Sequence, residues 1–349
     1  MKHKIPARLF WLFAMLVITL QACNADSTSI TTAATPVIPI TGATDSSNLV
    51  APVPTSLPSG SIQQGGAPVN LPEKLTDQAD DIDSSNAAVK KMAPPGSDIF
   101  VKDLFERPFN ANTMNTYFPY IDIVNTQGYI DDIWGYATIT LSGVDANGHL
   151  PAKYGVELDL NKDGRGDWLI LVSNPSSTDW STQGVQAWRD TNGDVGGKTP
   201  IVSDNSAGGN GYETLVFDQG KGSDNPDGAW DRISSADNKT IQIAFKLSMI
   251  GNPKFYTMGA WAGTDLNPAM FDYNDHMTHL QAGDPDSNVQ FYPIKALSEI
   301  DSTCRLIIPF DPAATAPGLC FTYVKPHNEP GGPNPVPPPP PPGRNPNGG

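Results

Sequence analysis

The residues with the clearest chemistry lie in one short, oxygen-rich segment. Side-chain oxygens stand at its first, third, fifth and ninth positions, in Asp159, Asn161, Asp163 and Asp167. Glycine occupies the sixth position, and Arg165 at the seventh offers its backbone carbonyl. Ca²⁺ takes about six to eight oxygen ligands, and alternate side chains of a tight loop can converge on one ion. The segment therefore predicts a bound Ca²⁺.

The flanks of this segment decide what kind of calcium loop it is. A helical EF-hand would place a bidentate Glu at the twelfth position, where this chain has Ile170. The residues on both sides alternate polar and apolar, which is typical of strands. The segment thus resembles the DxDxDGxxD loop of a β-hairpin, as found in integrin-type propeller blades. That resemblance implies a structural ion that pins two strands.

A weaker version of the pattern follows about 30 residues later. Asp190, Asn192 and Asp194 repeat the spacing of the first three ligands, but no later ligand completes it. Two interpretations stay open here, a second Ca²⁺ site or a plain Asn-Gly turn.

Aromatic side chains are the next candidates for contact with a ligand. Trp180 and Trp230 fall among turn residues, where a flat ring could stack on a sugar; Trp188, at the end of an expected strand, is a further partner for Trp180. The alternative for all three is packing of the domain. We therefore name them as candidate ligand-binding residues and leave both uses open.

A catalytic interpretation rests on one other segment. Asp275 and His276 stand in a run that ends in a second histidine, His279. No zinc spacing and no nucleophile motif accompanies them. Hydrolysis is therefore the alternative to a turn whose side chains bond the backbone.

Short alternating segments predict the fold that must carry these residues. Residues 137–141, 156–160 and 241–247 alternate with period two, and Gly, Asn, Asp and Pro separate the runs. Further strands are expected at 168–172, 185–188, 213–217 and 255–262. Many short strands without a helical period predict an all-β, antiparallel, jelly-roll-like sandwich with long loops.

Several phrases in this region resemble a known type of domain. They are residues 120–123, 132–139, 154–159, 184–190, 241–247 and 260–262. Their order is similar to that of family-9 carbohydrate-binding modules and DOMON-like sandwiches. The resemblance implies a non-catalytic module with structural Ca²⁺ that binds sugar or, in DOMON members, haem. Axial haem ligands would come from Met258, Met270, Met277 or His276.

The ends of the chain predict export. Residues 1–23 have a cationic start and an apolar run that ends at Cys23, which resembles a bacterial lipoprotein signal. Lipidation of Cys23 would anchor the chain at the outer surface or in the periplasm, and ordinary cleavage with release is the alternative. Residues 24–96 are expected to be a disordered linker, 97–325 the folded domain, and 326–349 a proline-rich tail.

Cysteine and charge agree with export. If Cys23 is lipidated, Cys304 and Cys320 remain to form a disulfide, which suits an oxidising compartment. The formal net charge of −15 argues against nucleic acid and against direct contact with anionic lipid. The resemblance to carbohydrate-binding modules implies polysaccharide or a cell-surface glycan as the partner, and membrane contact is expected through the lipid alone.

Overall fold

The described part of the chain is mostly β structure with very short helices. A computed structural model describes residues 66–195, 208–220, 226–284 and 294–320. The strands are β1 (Asp77–Asp80), β2 (Glu106–Arg107), β3 (Ile123–Ile130), β4 (Trp134–Leu141), β5 (Lys153–Asp159), β6 (Trp168–Ser173), β7 (Val185–Arg189), β8 (Thr214–Asp218), β9 (Ala229–Ile233), β10 (Thr240–Lys246), β11 (Tyr256–Gly263), β12 (Ile300–Ser302) and β13 (Leu306–Ile308). The helices are α1 (Ser85–Ala88), α2 (His279–Ala282) and three 3₁₀ turns at Phe100–Lys102, Pro268–Met270 and Tyr273–Asp275.

The strands build two antiparallel sheets, which confirms the predicted all-β sandwich. The five-stranded sheet has the order β1-β3-β4-β10-β9. The eight-stranded sheet has the order β2-β12-β11-β5-β6-β7-β8, and β13 pairs with β11 beside β12. One apolar core lies between the two sheets and draws side chains from both.

The alternation of side chains along each strand decides which of them enter the core between the sheets. Ala137, Ile139 and Leu141 of β4 enter the core, as do Val156 and Leu158 of β5. These are the positions that period-two alternation predicts, because successive side chains of a strand point to opposite faces.

A third layer covers the outer face of the eight-stranded sheet. Leu169, Leu171 and Trp261 point away from the sheet–sheet core and pack against residues 100–105 and 266–282. This second apolar cluster explains why segments without sandwich strands of their own are folded. It also encloses several polar side chains of the sheet.

The folded region begins earlier than the predicted boundary at residue 97. β1 lies inside the predicted linker, yet it pairs with β3 from Asp77↔Gly128 to Asp80↔Asn125. Its sequence has no apolar pattern, so pairing along a sheet edge orders it rather than burial of its own side chains. The signal region 1–23, residues 24–65 of the linker and the tail 326–349 lie outside the described residues.

The predicted disulfide is confirmed. Cys304 and Cys320 are bonded, with their Cα atoms 4.9 Å apart. The bond ties the segment after β13 back to Cys304, two residues before that strand, beside the parallel bridge Arg305↔Leu319. Within the described ranges, no helix has the length and apolar character needed to cross a bilayer.

Candidate functional site

The predicted calcium loop is the turn between β5 and β6. Its carboxylates accept backbone hydrogen bonds from the loop itself. Asp159 accepts from the amides of Lys162 (2.5 Å) and Gly164 (2.8 Å). Asp167 accepts from Leu160 at 2.7 Å, which closes the loop onto its own start. Lys162 and Gly164 have positive φ, so the backbone curls tightly around these oxygens.

The donor set of this loop is compatible with Ca²⁺, since each carboxylate oxygen keeps a second lone pair. Asp159 is buried, Asp167 and Arg165 are half-buried, and Asn161 and Asp163 are exposed. Among the described residues, however, the carboxylate oxygens of this loop do not form a group in which all lie within 4.8 Å of one another. A different set of carboxylates in these ranges has that spacing. Calcium at this loop stays a prediction.

The second predicted loop follows β7 and has the same local pattern. Asp190 accepts hydrogen bonds from the amides of Asn192 (3.0 Å) and Val195 (3.0 Å). A residue later in the chain also approaches this loop, because the backbone amide of Asn210 donates to the Asp194 carboxylate at 3.3 Å. Both the metal interpretation and the plain turn remain compatible with this geometry.

The outer face of the five-stranded sheet carries a row of aromatic side chains. Tyr129, Tyr136, Ala244 and Trp230 are direct cross-strand neighbours on β3, β4, β10 and β9. Four strands span three strand spacings, about 14 Å. Ala244 and Tyr136 are buried, so the half-buried rings of Tyr129 and Trp230 are the members of this row that reach solvent. Trp134 packs in the same cluster. We call this surface the aromatic face.

A row of polar side chains, with amide and guanidinium groups on either side of the buried Thr138, runs beside the aromatic row. Its cross-strand neighbours are Gln78, Gln127, Thr138, Gln242 and Arg232. Gln127 Nε2 donates to Gln78 Oε1 at 3.0 Å, and Arg232 Nε donates to Gln242 Oε1 at 2.6 Å. Donors and acceptors are thus held in fixed positions along a partly apolar face of the sheet.

Trp180 joins this surface from the loop between β6 and β7. Its ring lies 6.4 Å from that of Tyr136, and the Arg232 guanidinium stands 4.4 Å over it. Its Nε1 donates to the carbonyl of Val69 at 3.2 Å, and Leu71 packs against the same cluster. The segment before β1 therefore crosses part of the aromatic face as a strap.

The structure separates the three predicted ligand-binding tryptophans. Trp180 and Trp230 lie in one cluster, and both are half-buried. Trp188 lies on β7 and packs on the outer cluster of the other sheet. The prediction that Trp230 stands in a loop is wrong, because it belongs to β9. The Pro-Asp-Gly turn at 226–228 ends one residue before that strand.

A cleft opens on the outer side of the eight-stranded sheet. Its volume is about 330 Å³. Glu157, Arg305 and Trp261 form its floor, and Asp103, Asn274 and Asp275 come from the covering layer. Arg305 Nη2 bonds Glu157 Oε1 at 3.1 Å, and Trp261 Nε1 donates to Glu157 Oε2 at 2.9 Å.

The acids of this cleft are held away from water. Burial raises the pKa of Asp103 to about 7, although an amide hydrogen bond from Asn274 opposes it. Burial, and then the charge of Asp103, raises the pKa of Asp272 well above its usual range. Burial also raises the pKa of Asp275, the predicted hydrolytic residue, which lines the cleft. His276 follows it in the chain, and its Nε2 is buried without a hydrogen-bond partner among the described residues.

The candidate haem ligands are divided between two layers. Met258 lies in the core between the sheets. Met270 and Met277 pack on the outer cluster, beyond the eight-stranded sheet. The sheet that carries Met258 therefore separates it from the other two.

Sequence reasoning missed a further group of acids. Asp81, Glu106 and Asp301 place carboxylate oxygens within 4.8 Å of one another. Asp122 lies beside them and accepts a hydrogen bond from the amide of Ser84 at 3.1 Å. The available signal was an acid between apolar residues, as in Ile121-Asp122-Ile123. No spacing links these acids along the chain.

Comparison with known proteins gives no relative to argue from. The chain matches no protein-family model, no curated protein and no solved structure.

Proposed function

We propose that this protein is a non-catalytic binding module that holds carbohydrate on the aromatic face of its five-stranded sheet. The observation that carries the proposal is the pairing of an aromatic row with a parallel row of amide and guanidinium groups. Sugar rings offer flat patches of C–H bonds to aromatic side chains, and their hydroxyls need donors and acceptors in fixed places. The two rows supply both along about 14 Å.

Individual residues have distinct roles in this proposal. The half-buried rings of Trp180 and Trp230 provide the stacking surfaces. Arg232 and Gln242 are already bonded to each other, so they would meet a hydroxyl without first losing side-chain freedom. The buried rings of Trp134 and Tyr136 support the surface from beneath.

The sequence supplies the rest of the proposal. The export signal with Cys23 would anchor the module by a lipid at the outer surface or in the periplasm, or release it if ordinary cleavage occurs. Ca²⁺ at the loop of Asp159 and Asp167 would fix the β5–β6 hairpin. That hairpin belongs to the other sheet, so its ion would stabilise the fold and not contact the sugar.

Retention of the mature chain on insoluble polysaccharides and affinity electrophoresis with soluble ones test this function. Trp230→Ala and Trp180→Ala should each weaken binding at least about tenfold, since a large apolar side chain contributes about 1.5–3 kcal/mol when buried. Trp188→Ala is the matched control, because it removes the same ring from the outer face of the other sheet. Equal weakening by all three changes, or no retention of a folded chain on any glycan, would refute the proposal.

A second candidate function is hydrolysis in the cleft of the eight-stranded sheet. Raised carboxyl pKa values in a water-poor cleft are typical of general acids. Asp272→Asn and Asp275→Asn, assayed for release of reducing ends from any retained glycan, separate this function from binding alone. Turnover by the wild-type chain that either change abolishes would favour the hydrolase over the binding module.

A further inference from the structure

Four carboxylates meet where the edges of the two sheets approach each other. Asp81 directly follows β1, and Asp122 directly precedes β3, so both stand at the edge of the five-stranded sheet. Glu106 lies on β2 and Asp301 on β12, which are neighbours at the edge of the eight-stranded sheet. The residues span more than 200 positions of the sequence and come together only in the fold.

Three of these acids are almost completely removed from water, and the fourth, Asp81, is half-buried. Asp122 and Asp301 are 0% exposed and Glu106 is 2% exposed. Within the described ranges, none of the four has an ion pair with Lys, Arg or His; the nearby Arg107 is occupied by Asp98 at 2.9 Å. Several buried negative charges without a counter-ion are very unfavourable, so they must be neutralised by protons or by a bound cation.

Among the described residues, one oxygen of each partnered carboxylate is fixed and the other has no partner. Asp301 Oδ2 accepts from the amide of Ile123 at 2.6 Å, while its Oδ1 is buried and has no hydrogen-bond partner in the described part of the chain. Asp122 shows the same division within these ranges, with Oδ2 bonded to Tyr117 and Ser84 and Oδ1 unpartnered. Asp81 Oδ2 is also buried, and it too lacks a partner among the residues described. Buried polar atoms are normally hydrogen-bonded, so these oxygens point to a further partner.

We propose that one Ca²⁺ ion binds between the two sheet edges, held by Asp81, Glu106 and Asp301, with the carboxylate of Asp122 beside it. The ligand oxygens of one Ca²⁺ stand at about 2.3–2.6 Å from it, so they lie within about 5 Å of one another. The carboxylates of Asp81, Glu106 and Asp301 meet that spacing. An all-oxygen donor set without His or Cys favours a hard divalent cation over zinc or copper.

Burial acts against charge throughout this cluster. Burial raises the pKa of Asp81 and Asp122 to about 7, and it raises the pKa of Glu106 to about 10, with the charge of Asp81 adding to it. Burial, and then repulsion by Glu106, raises the pKa of Asp301. A divalent cation would reverse this balance, because it favours the charged form of every ligand.

The ion would fasten the start of the folded region to both sheets. Asp81 stands just after the first strand, and its amide already bonds the Val124 carbonyl at 3.0 Å. Glu106 and Asp301 belong to the opposite sheet. The site is thus a clamp across an open edge of the sandwich, and it does not depend on carbohydrate binding.

The test must separate this cluster from the predicted calcium loops. We would first make Asp163→Ala with Asp194→Ala in the mature chain, which removes central ligands from both loops at accessible positions. Bound Ca²⁺ is then counted after dialysis, and binding is measured by titration calorimetry at pH 7.5. This background should retain one equivalent of Ca²⁺. Complete loss of binding from a folded background chain would overturn the proposal.

Conservative changes within the cluster give the second arm. Asp301→Asn and Glu106→Gln, each in the same background, should lower Ca²⁺ affinity at least tenfold and abolish the rise in thermal midpoint that Ca²⁺ produces. Since Asn and Gln keep the shape and can bond internally, these chains should fold without the ion. Unchanged affinity in both variants would show that the ion binds elsewhere, and this too would overturn the proposal.

Discussion

Asp231 allows a test of how strongly burial raises the pKa of a carboxyl group in this sandwich. It lies on β9, is 2% exposed and has one carboxylate oxygen without a hydrogen-bond partner among the described residues. Burial raises the pKa of Asp231 from 3.8 to about 7. We predict that Asp231→Asn removes a pH-dependent loss of stability that the wild-type chain shows.

The sign follows from proton binding. Between pH 4 and pH 7 the folded state holds a proton on Asp231 that the unfolded state releases, so the free energy of unfolding falls as the pH rises through this window. A shift of about three pKa units corresponds to about 4 kcal/mol over the full window. The variant should match the wild-type chain near pH 4 and exceed its stability by up to about 4 kcal/mol at pH 8.

Urea denaturation at pH 4, 5, 6, 7 and 8 measures this difference. Saturating Ca²⁺ is kept present so that other acids contribute equally to both chains. Asp132→Asn is the control, since Asp132 is an exposed carboxylate on the β3–β4 turn. If the difference in stability between wild type and Asp231→Asn does not change with pH, then the carboxyl is solvated in the folded state and the reasoning from burial fails.

Three other outcomes follow from the structure. Cys304→Ala with Cys320→Ala should lower the free energy of unfolding by about 3 kcal/mol, the entropy of the loop that the disulfide closes, and urea curves with and without reductant should agree on this value. Deleting residues 66–73 removes the strap that contacts Trp180, so the shortened chain should bind glycan more tightly than the mature chain in affinity electrophoresis; weaker binding would mean that the strap is part of the site. Gly166→Ala should lower the thermal midpoint, because a Cβ there would lie 1.5 Å from Tyr212 Oη and 2.4 Å from Glu157 Oε1, and overpacking costs about 1–3 kcal/mol. An unchanged midpoint for Gly166→Ala would contradict the close packing beneath the cleft.

Period-two alternation was sufficient to predict the strands that face the main core. It failed where a strand contradicts the pattern. β9 places Asp231 between Ala229 and Ile233 on its inward face. Because an acid stands where an apolar residue is expected, the sequence of this strand resembles the turn that precedes it. β1 has no apolar side chain larger than Ala79, and only its partner β3 makes it a strand.

Sites built from local sequence were easier to predict than sites built by the fold. The spacing of Asp159 to Asp167 is visible within nine residues. The aromatic face combines residues from β3, β4, β9, β10 and a loop, and cross-strand register alone shows which of them are neighbours. The acids around Asp301 are more widely separated still, so no pattern in the sequence joins them.

The position of β1 has a mechanical consequence. A module anchored through its N-terminus and bound to a fixed surface feels any pull first at residues 66–76, and the force then reaches β1. This strand pairs with β3 through four residues, so it is the part of the sandwich that would peel away earliest under load. A cation on Asp81, immediately after β1, would transmit that force to the opposite sheet. The concentration of extracellular calcium would then determine the force at which the anchored module unfolds.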